Sequence, residues 1–124
     1  MAVGDSALTN NTTAFINTAI GNNTLYFNTT GQNNTAIGDS ALTSNTTAYG
    51  NTAIGFMSLY NNTTGENNTA IGNNTATGIT TGSANTIIGA NVTGLASNIS
   101  NNIIIADGSG NRRINVTATG YVGI

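Results

Sequence analysis

The stretch N-T-A-I-G-D-S-A-L, residues 34–42, decides the fold, because related strings precede and follow it at a constant distance. A glycine after a β-branched residue recurs every 17 residues, and the same frame continues to Ala106 and Gly123 without an insertion or deletion. These glycines are Gly4, Gly21, Gly38, Gly55, Gly72 and Gly89. A fixed period of this length is the signature of a repeat architecture in which each unit stacks on the next.

Aligning the repeats on the glycine produces columns of equivalent residues. Four places before the glycine, every repeat has asparagine: Asn17, Asn34, Asn51, Asn68, Asn85 and Asn102. Stacked identical amides can bond to one another or to the backbone, so we expect this column to be a structural Asn ladder. Four places after the glycine stand Leu8, Leu25, Leu42 and Leu59.

Thr, Ile, Gly and Asn are poor helix formers, and they dominate every repeat. The T-A-I segment fits a short strand with Thr and Ile on one face and Ala on the other, and a second strand would centre on Leu. The predicted fold is all-β: a β-solenoid (parallel β-roll or β-helix) of about seven 17-residue coils over residues 1–106, followed by a cap or neck at 107–124. Besides the leucines, the predicted core ladder comprises Ile20, Ile37, Ile54, Ile71 and Ile88.

A core of about one Ile and one Leu per coil is thin. Each buried aliphatic side chain contributes roughly 1.5–3 kcal/mol, whereas ordering one backbone residue costs about 1–2 kcal/mol. We therefore expect the chain to associate with itself, as a homotrimer or by end-to-end stacking. Aromatic residues that share columns, Phe15 with Tyr49 and Tyr26 with Tyr60, fit packing between chains or, alternatively, stacking against carbohydrate.

The composition argues against several classes of function. The chain has no His, Cys or Lys, and its charged residues are four acids and two arginines. This leaves no basic surface for nucleic acid, and no apolar run is long enough for membrane insertion. Asp5 and Asp39 lie two coils apart, too far for an acid/base pair, so we expect no enzyme and no catalytic residue. A calcium loop at Asp107 lacks carboxylates; we predict no metal and no cofactor.

The recurring motif with chemical meaning is N-x-[ST], the acceptor for N-linked glycans on exported proteins. One column carries Asn-Thr-Thr in four successive coils, and further acceptors are scattered along the chain. Any export signal is expected outside these residues, since residues 1–20 lack the features of one. Candidate glycosylation sites are Asn11, Asn28, Asn45 and Asn62 in the column, and Asn22, Asn33, Asn67, Asn73, Asn91, Asn98 and Asn115 elsewhere.

The N-T-A-I-G-x-x-A-L unit at residues 34–42, with its relatives at 17 and 51, resembles the head repeats of trimeric autotransporter adhesins. It is also similar to repeats of phage tail-fibre-like proteins. The resemblance implies a left-handed parallel β-roll, a trimer and an adhesive role, although adhesin heads commonly have a shorter repeat. The ending at residues 106–124 is similar to the segment that precedes the self-cleaving chaperone of tailspike-like fibres.

Together these observations predict a structural or adhesive fibre module, located outside the cell or on a cell or virion surface. Its partners would be copies of itself and, through its aromatic columns, cell-surface or matrix carbohydrate. The alternatives are an ice-binding solenoid, in which the Thr column from Thr18 to Thr86 would present regularly spaced hydroxyls, and a carbohydrate-binding one.

Overall fold

The structure is a computed structural model, and it describes residues 1–123. All nine strands form one sheet in chain order. The first seven run parallel, one per repeat, and the last two run antiparallel to their neighbours. The strands are β1 (Ala2–Val3), β2 (Thr18–Ile20), β3 (Thr35–Ile37), β4 (Thr52–Ile54), β5 (Thr69–Ile71), β6 (Thr86–Ile88), β7 (Ile103–Ala106), β8 (Arg112–Val116) and β9 (Val122–Gly123).

Strand pairing follows the sequence period without a shift. Thr35 lies beside Thr52, Ala36 beside Ala53 and Ile37 beside Ile54, and the same register holds from β2 to β6. Each column of the sequence is therefore a straight row of side chains along the axis, about 4.8 Å apart. The predicted all-β solenoid is confirmed, with six turns between β1 and β7.

The T-A-I strands face the opposite way from the prediction. Ala19, Ala36, Ala53 and Ala70 are fully buried, whereas Ile20, Ile37 and Ile54 are half-buried, and Ile71 and Ile88 are 38% and 41% exposed. The assignment of these five isoleucines to the core was wrong. The reason is the strand period of two: the preceding Asn lies inward to bond the next coil, which places Thr outward, Ala inward and Ile outward.

The Leu segment is buried but is not a strand. Leu25, Leu42 and Leu59 are fully buried and Leu8 is half-buried, yet each has φ between 50° and 54°, in the left-handed region. The backbone still bonds between coils, since the Leu25 N–H donates to the Ala41 carbonyl at 3.1 Å. The prediction of a second strand was therefore wrong, and this wall of the solenoid consists of stacked turns.

The glycine column forms a tight corner between the sheet and the Leu turns. Its six glycines have φ between 128° and 143°, a conformation that is easy only for glycine. A Cβ at Gly38 would lie 2.6 Å from the Gly55 carbonyl carbon in the next coil. The corner thus requires glycine both for its backbone angle and for the close approach of adjacent coils.

The seventh repeat does not form another coil. After Ala106, a turn closed by Asp107 reverses the chain, and β8 pairs antiparallel with β7. A second reversal places β9 beside β8. Residues 112–116 form β8, and the two hairpins continue the sheet; Ile124 lies outside the described residues.

Candidate functional surfaces

The outward side of the parallel sheet is flat and uncharged. It consists of a Thr row and an Ile row on β2–β6, and we call it the Thr/Ile face. Its residues are Thr18, Thr35, Thr52, Thr69 and Thr86, with Ile20, Ile37, Ile54, Ile71 and Ile88. Ile105 and its partner Ile114, both 38% exposed, continue the aliphatic row across β7 and β8. Large aliphatic side chains thus remain in contact with solvent along most of the sheet.

The column at Asn11, proposed above for glycosylation, lies inside the solenoid. Asn28, Asn45 and Asn62 have no exposed surface, and Asn11 is partly buried. The Nδ2 atom of Asn45, where a glycan would attach, donates to Asn28 Oδ1 at 2.8 Å and to the Ala48 carbonyl at 3.1 Å. Asn28 and Asn62 make the equivalent pair of bonds.

Asn28, Asn45 and Asn62 therefore cannot be accessible acceptors in the folded chain, and their assignment was wrong. They form a second amide ladder, because an Asn side chain in this turn bonds to the carbonyl three residues ahead and to the side-chain amide of the Asn in the preceding coil. Asn11 follows the same pattern through Ala14. The ladder ends at Asn62, whose Oδ1 is buried and has no hydrogen-bond partner within residues 1–123. The next residue of the column is Ile79, which has no donor in its side chain.

Most of the scattered acceptors lie on the surface. Asn22, Asn33, Asn67, Asn73, Asn91 and Asn98 are exposed. Asn91 is constrained, because its Nδ2 donates to the Gly108 carbonyl at 3.0 Å. Asn115 is partly buried, with an Oδ1 that has no partner among the described residues. Two further exposed acceptors, Asn10 and Asn61, escaped the sequence analysis although both begin N-N-T.

The ladder at Asn17 is internal and satisfies backbone groups. The Oδ1 atom of Asn51 accepts from the Asn68 N–H at 2.9 Å, and its Nδ2 donates to the Gly65 carbonyl at 2.9 Å. The same pattern repeats at Asn34 and Asn68, and all but the last member, Asn102, are buried. A buried backbone N–H and a buried carbonyl are thereby paired in each coil.

No ionisable side chain belongs to the Thr and Ile rows of β2–β6. Hydrogen bonds from Asn111, from the Ser109 N–H and from Arg113 lower the pKa of Asp107 to about 2. The carboxylate therefore stays ionised in the turn and pairs with Arg113. The carboxylate of Glu66, one coil further on, raises the pKa of Tyr49. Asp107 thus interacts within the first hairpin turn, and Glu66 interacts with the adjacent coil.

The surface formed by residues 1–123 contains no pocket, and no three metal-binding side chains gather there. Nor does this part of the chain include a helix of a length and hydropathy suited to crossing a bilayer. No protein-family model, curated protein or solved structure matches the sequence or the fold of this chain.

Proposed function

We propose that this chain is a non-enzymatic structural module of an extracellular or surface fibre, built by side-by-side association of copies through the Thr/Ile face. The observation that carries the proposal is the exposure of this face. Monomeric proteins rarely leave a contiguous aliphatic surface in contact with water, and such surfaces commonly mark sites of association. The outward position of the isoleucines places most of the large aliphatic surface of the sheet where a second copy can cover it.

Copies that pack with their axes parallel bury this face along its whole length. The two rows contain no ionised side chain, so no charge has to be desolvated when the faces meet. A homotrimer, with the three faces directed at a common axis, leaves the Leu turns and the exposed asparagines pointing to solvent. Adhesion to carbohydrate through the exposed aromatic residues Phe15, Phe27 and Phe56 would be a secondary role of the same fibre.

Introducing charge on the face is expected to separate the copies. In the double variant Ile54→Lys/Ile71→Lys, association would bury several ammonium groups without partners, at a cost of several kcal/mol per ion. We expect association to weaken by at least about a hundredfold, which corresponds to roughly 2.7 kcal/mol. Sedimentation equilibrium would then give the mass of one chain, 12.5 kDa, where the unaltered protein gives a multiple of it.

The matched control is Ser44→Lys/Asn61→Lys, which adds the same charge on the wall formed by the stacked Leu turns. This variant should keep the mass of the unaltered protein, and circular dichroism should show both variants folded. A single-chain mass for the unaltered protein at micromolar concentration would contradict the proposal, as would unchanged association of the isoleucine variant.

We further propose N-linked glycans on exposed asparagines, with Asn33 and Asn67 as the main sites. They occupy one column two coils apart, about 9.6 Å, which relieves the crowding that adjacent coils would impose. Mass mapping of protein from its natural host, after enzymatic release that converts occupied Asn to Asp, should find both sites occupied. Asn28, Asn45 and Asn62 serve as internal controls, because their burial predicts no occupancy; unmodified Asn33 and Asn67 would contradict the proposal.

A further inference from the structure

A row of threonines is exposed in five successive coils without a structural reason for its hydroxyl groups. Thr13, Thr30, Thr47, Thr64 and Thr81 are all exposed, and we call them the outer Thr column. The backbone N–H groups of Thr13, Thr30, Thr64 and Thr81 bond to the next coil, as from Thr30 to the Thr46 carbonyl at 3.2 Å. Within residues 1–123, however, none of the five Oγ1 atoms has a hydrogen-bond partner.

The preceding threonines provide the contrast. In the inner Thr column, each hydroxyl donates to the carbonyl of the equivalent residue one coil further on. The distances range from 2.9 to 3.5 Å for Thr12, Thr29, Thr46, Thr63 and Thr80. The hydroxyl of the inner column is therefore explained by the fold, whereas the hydroxyl of the outer column is not.

Outside the Thr/Ile face, whose two rows are also constant over β2–β6, two other surface columns vary from coil to coil. One contains Phe15, Gln32, Tyr49, Glu66 and Ser83, and another contains Asp5, Asn22, Asp39, Phe56, Asn73 and Ala90. Such variation is expected, because most surface substitutions change stability by less than about 0.5 kcal/mol. The outer Thr column is still Thr at Thr81. In the same part of the chain, the Leu column has Ala76 and the column of the second amide ladder has Ile79.

The β-branched shape alone does not explain this constancy. Val or Ile has the same branching at Cβ and restricts the side chain equally well, so the hydroxyl itself is the feature retained. Since the hydroxyl has no partner within the described chain, the group that uses it comes from outside. The neighbouring column argues against a flat ligand surface, because its exposed Phe15 and Tyr49 alternate with smaller side chains and make the edge uneven.

We propose that the outer Thr column is an attachment site for O-linked sugars. Covalent attachment of a sugar requires one accessible hydroxyl at a time, and it tolerates neighbouring side chains of different sizes. In the reaction, Thr Oγ1 attacks the anomeric carbon of a nucleotide-activated sugar, and the bond from that carbon to the phosphate oxygen breaks. The nucleotide leaves with the bonding electron pair, and a base of the transferase takes the hydroxyl proton.

The geometry also limits what is attached. Adjacent hydroxyls are about 4.8 Å apart along the axis, which leaves room for short, unbranched sugars and excludes bulky chains on every coil. A row of small sugars would keep one edge of a nearly uncharged β-structure hydrated, in the way that O-glycans solvate Ser/Thr-rich stalks. This site is separate from the Thr/Ile face and from the column of Asn33 and Asn67, so it does not depend on the proposed association; the next position of the outer Thr column is Asn98.

The test uses protein from its natural host after enzymatic removal of N-linked glycans. Alkaline β-elimination, which releases sugars from Thr but not from Asn, is expected to lower the mass, and peptide mapping should place the lost groups on the outer column. The variant Thr30→Val/Thr47→Val/Thr64→Val should lose three of these groups and remain folded. The control Thr29→Val/Thr46→Val/Thr63→Val should lose none. Unmodified outer threonines, or sugars on the inner column, would overturn the proposal.

Discussion

Replacing Gly38 with alanine should unfold or severely loosen the solenoid. The backbone there has φ 130°, and holding a non-glycine residue in so sparsely populated a region costs about 1–3 kcal/mol. The new Cβ would also lie 2.6 Å from the carbonyl carbon and oxygen of Gly55, and overpacking of this kind adds roughly 1–3 kcal/mol. We therefore expect a loss of about 2–6 kcal/mol in the free energy of unfolding, measured by guanidinium denaturation followed by circular dichroism.

Gly108→Ala is the matched control. Gly108 lies in the first hairpin turn, where no atom lies within 4 Å of an added Cβ. Its substitution should change the unfolding midpoint little. Equal midpoints for the two variants would mean that the coils can move apart at the glycine corner, contrary to the structure.

Removing one amide from the middle of the Asn ladder should have the second large effect. In Asn51→Ala, the buried Asn68 N–H loses its acceptor, and the Gly65 carbonyl loses one of its two donors and keeps the bond from Asn62 Nδ2. An unsatisfied buried polar group costs about 1–3 kcal/mol and a lost hydrogen bond about 0.5–1.5 kcal/mol, so the expected loss of stability is roughly 1.5–4.5 kcal/mol. Hydrogen exchange should also show faster exchange at the Asn68 amide.

Asn67→Ala provides the comparison, because it removes the same atoms from an exposed neighbour in the same coil. Its unfolding free energy should remain close to that of the unaltered protein. If Asn51→Ala were equally mild, water would have to enter the interior and replace the lost bonds, and the ladder would not be a source of stability.

The period of the glycine column was enough to predict a stack of 17-residue coils, because only a parallel, in-register stack keeps every column aligned. The direction of the T-A-I strand was predicted wrongly, since Thr and Ile alternate with Ala equally well in either orientation. One signal was present in the sequence: an inward Asn51 implies, by the strand period of two, an inward Ala53. The replacement of Ala by Ile87 and Ile104 in later coils also indicates an apolar environment for this column.

The asparagine column at Asn28 shows a different limit. Its N-T-T motif is typical of an exposed acceptor, and the motif does not reveal on which side of the wall the side chain lies. The substitution of Ile79 in the same column was the available signal of burial. The left-handed turns at Leu25 and Leu42 had no such signal, because bulky residues rarely adopt positive φ. Their conformation follows from stacking against adjacent coils.

Stacked coils also determine how this chain would respond to a pulling force. Neighbouring coils are joined by hydrogen bonds that run along the axis, so tension along a fibre would load these contacts in series and open the weakest first. One coil adds about 4.8 Å to the length of the stack, whereas its 17 residues span roughly 56–61 Å when fully extended. Each coil that opens would therefore lengthen the fibre more than tenfold locally, which would make the module an energy-absorbing, extensible link.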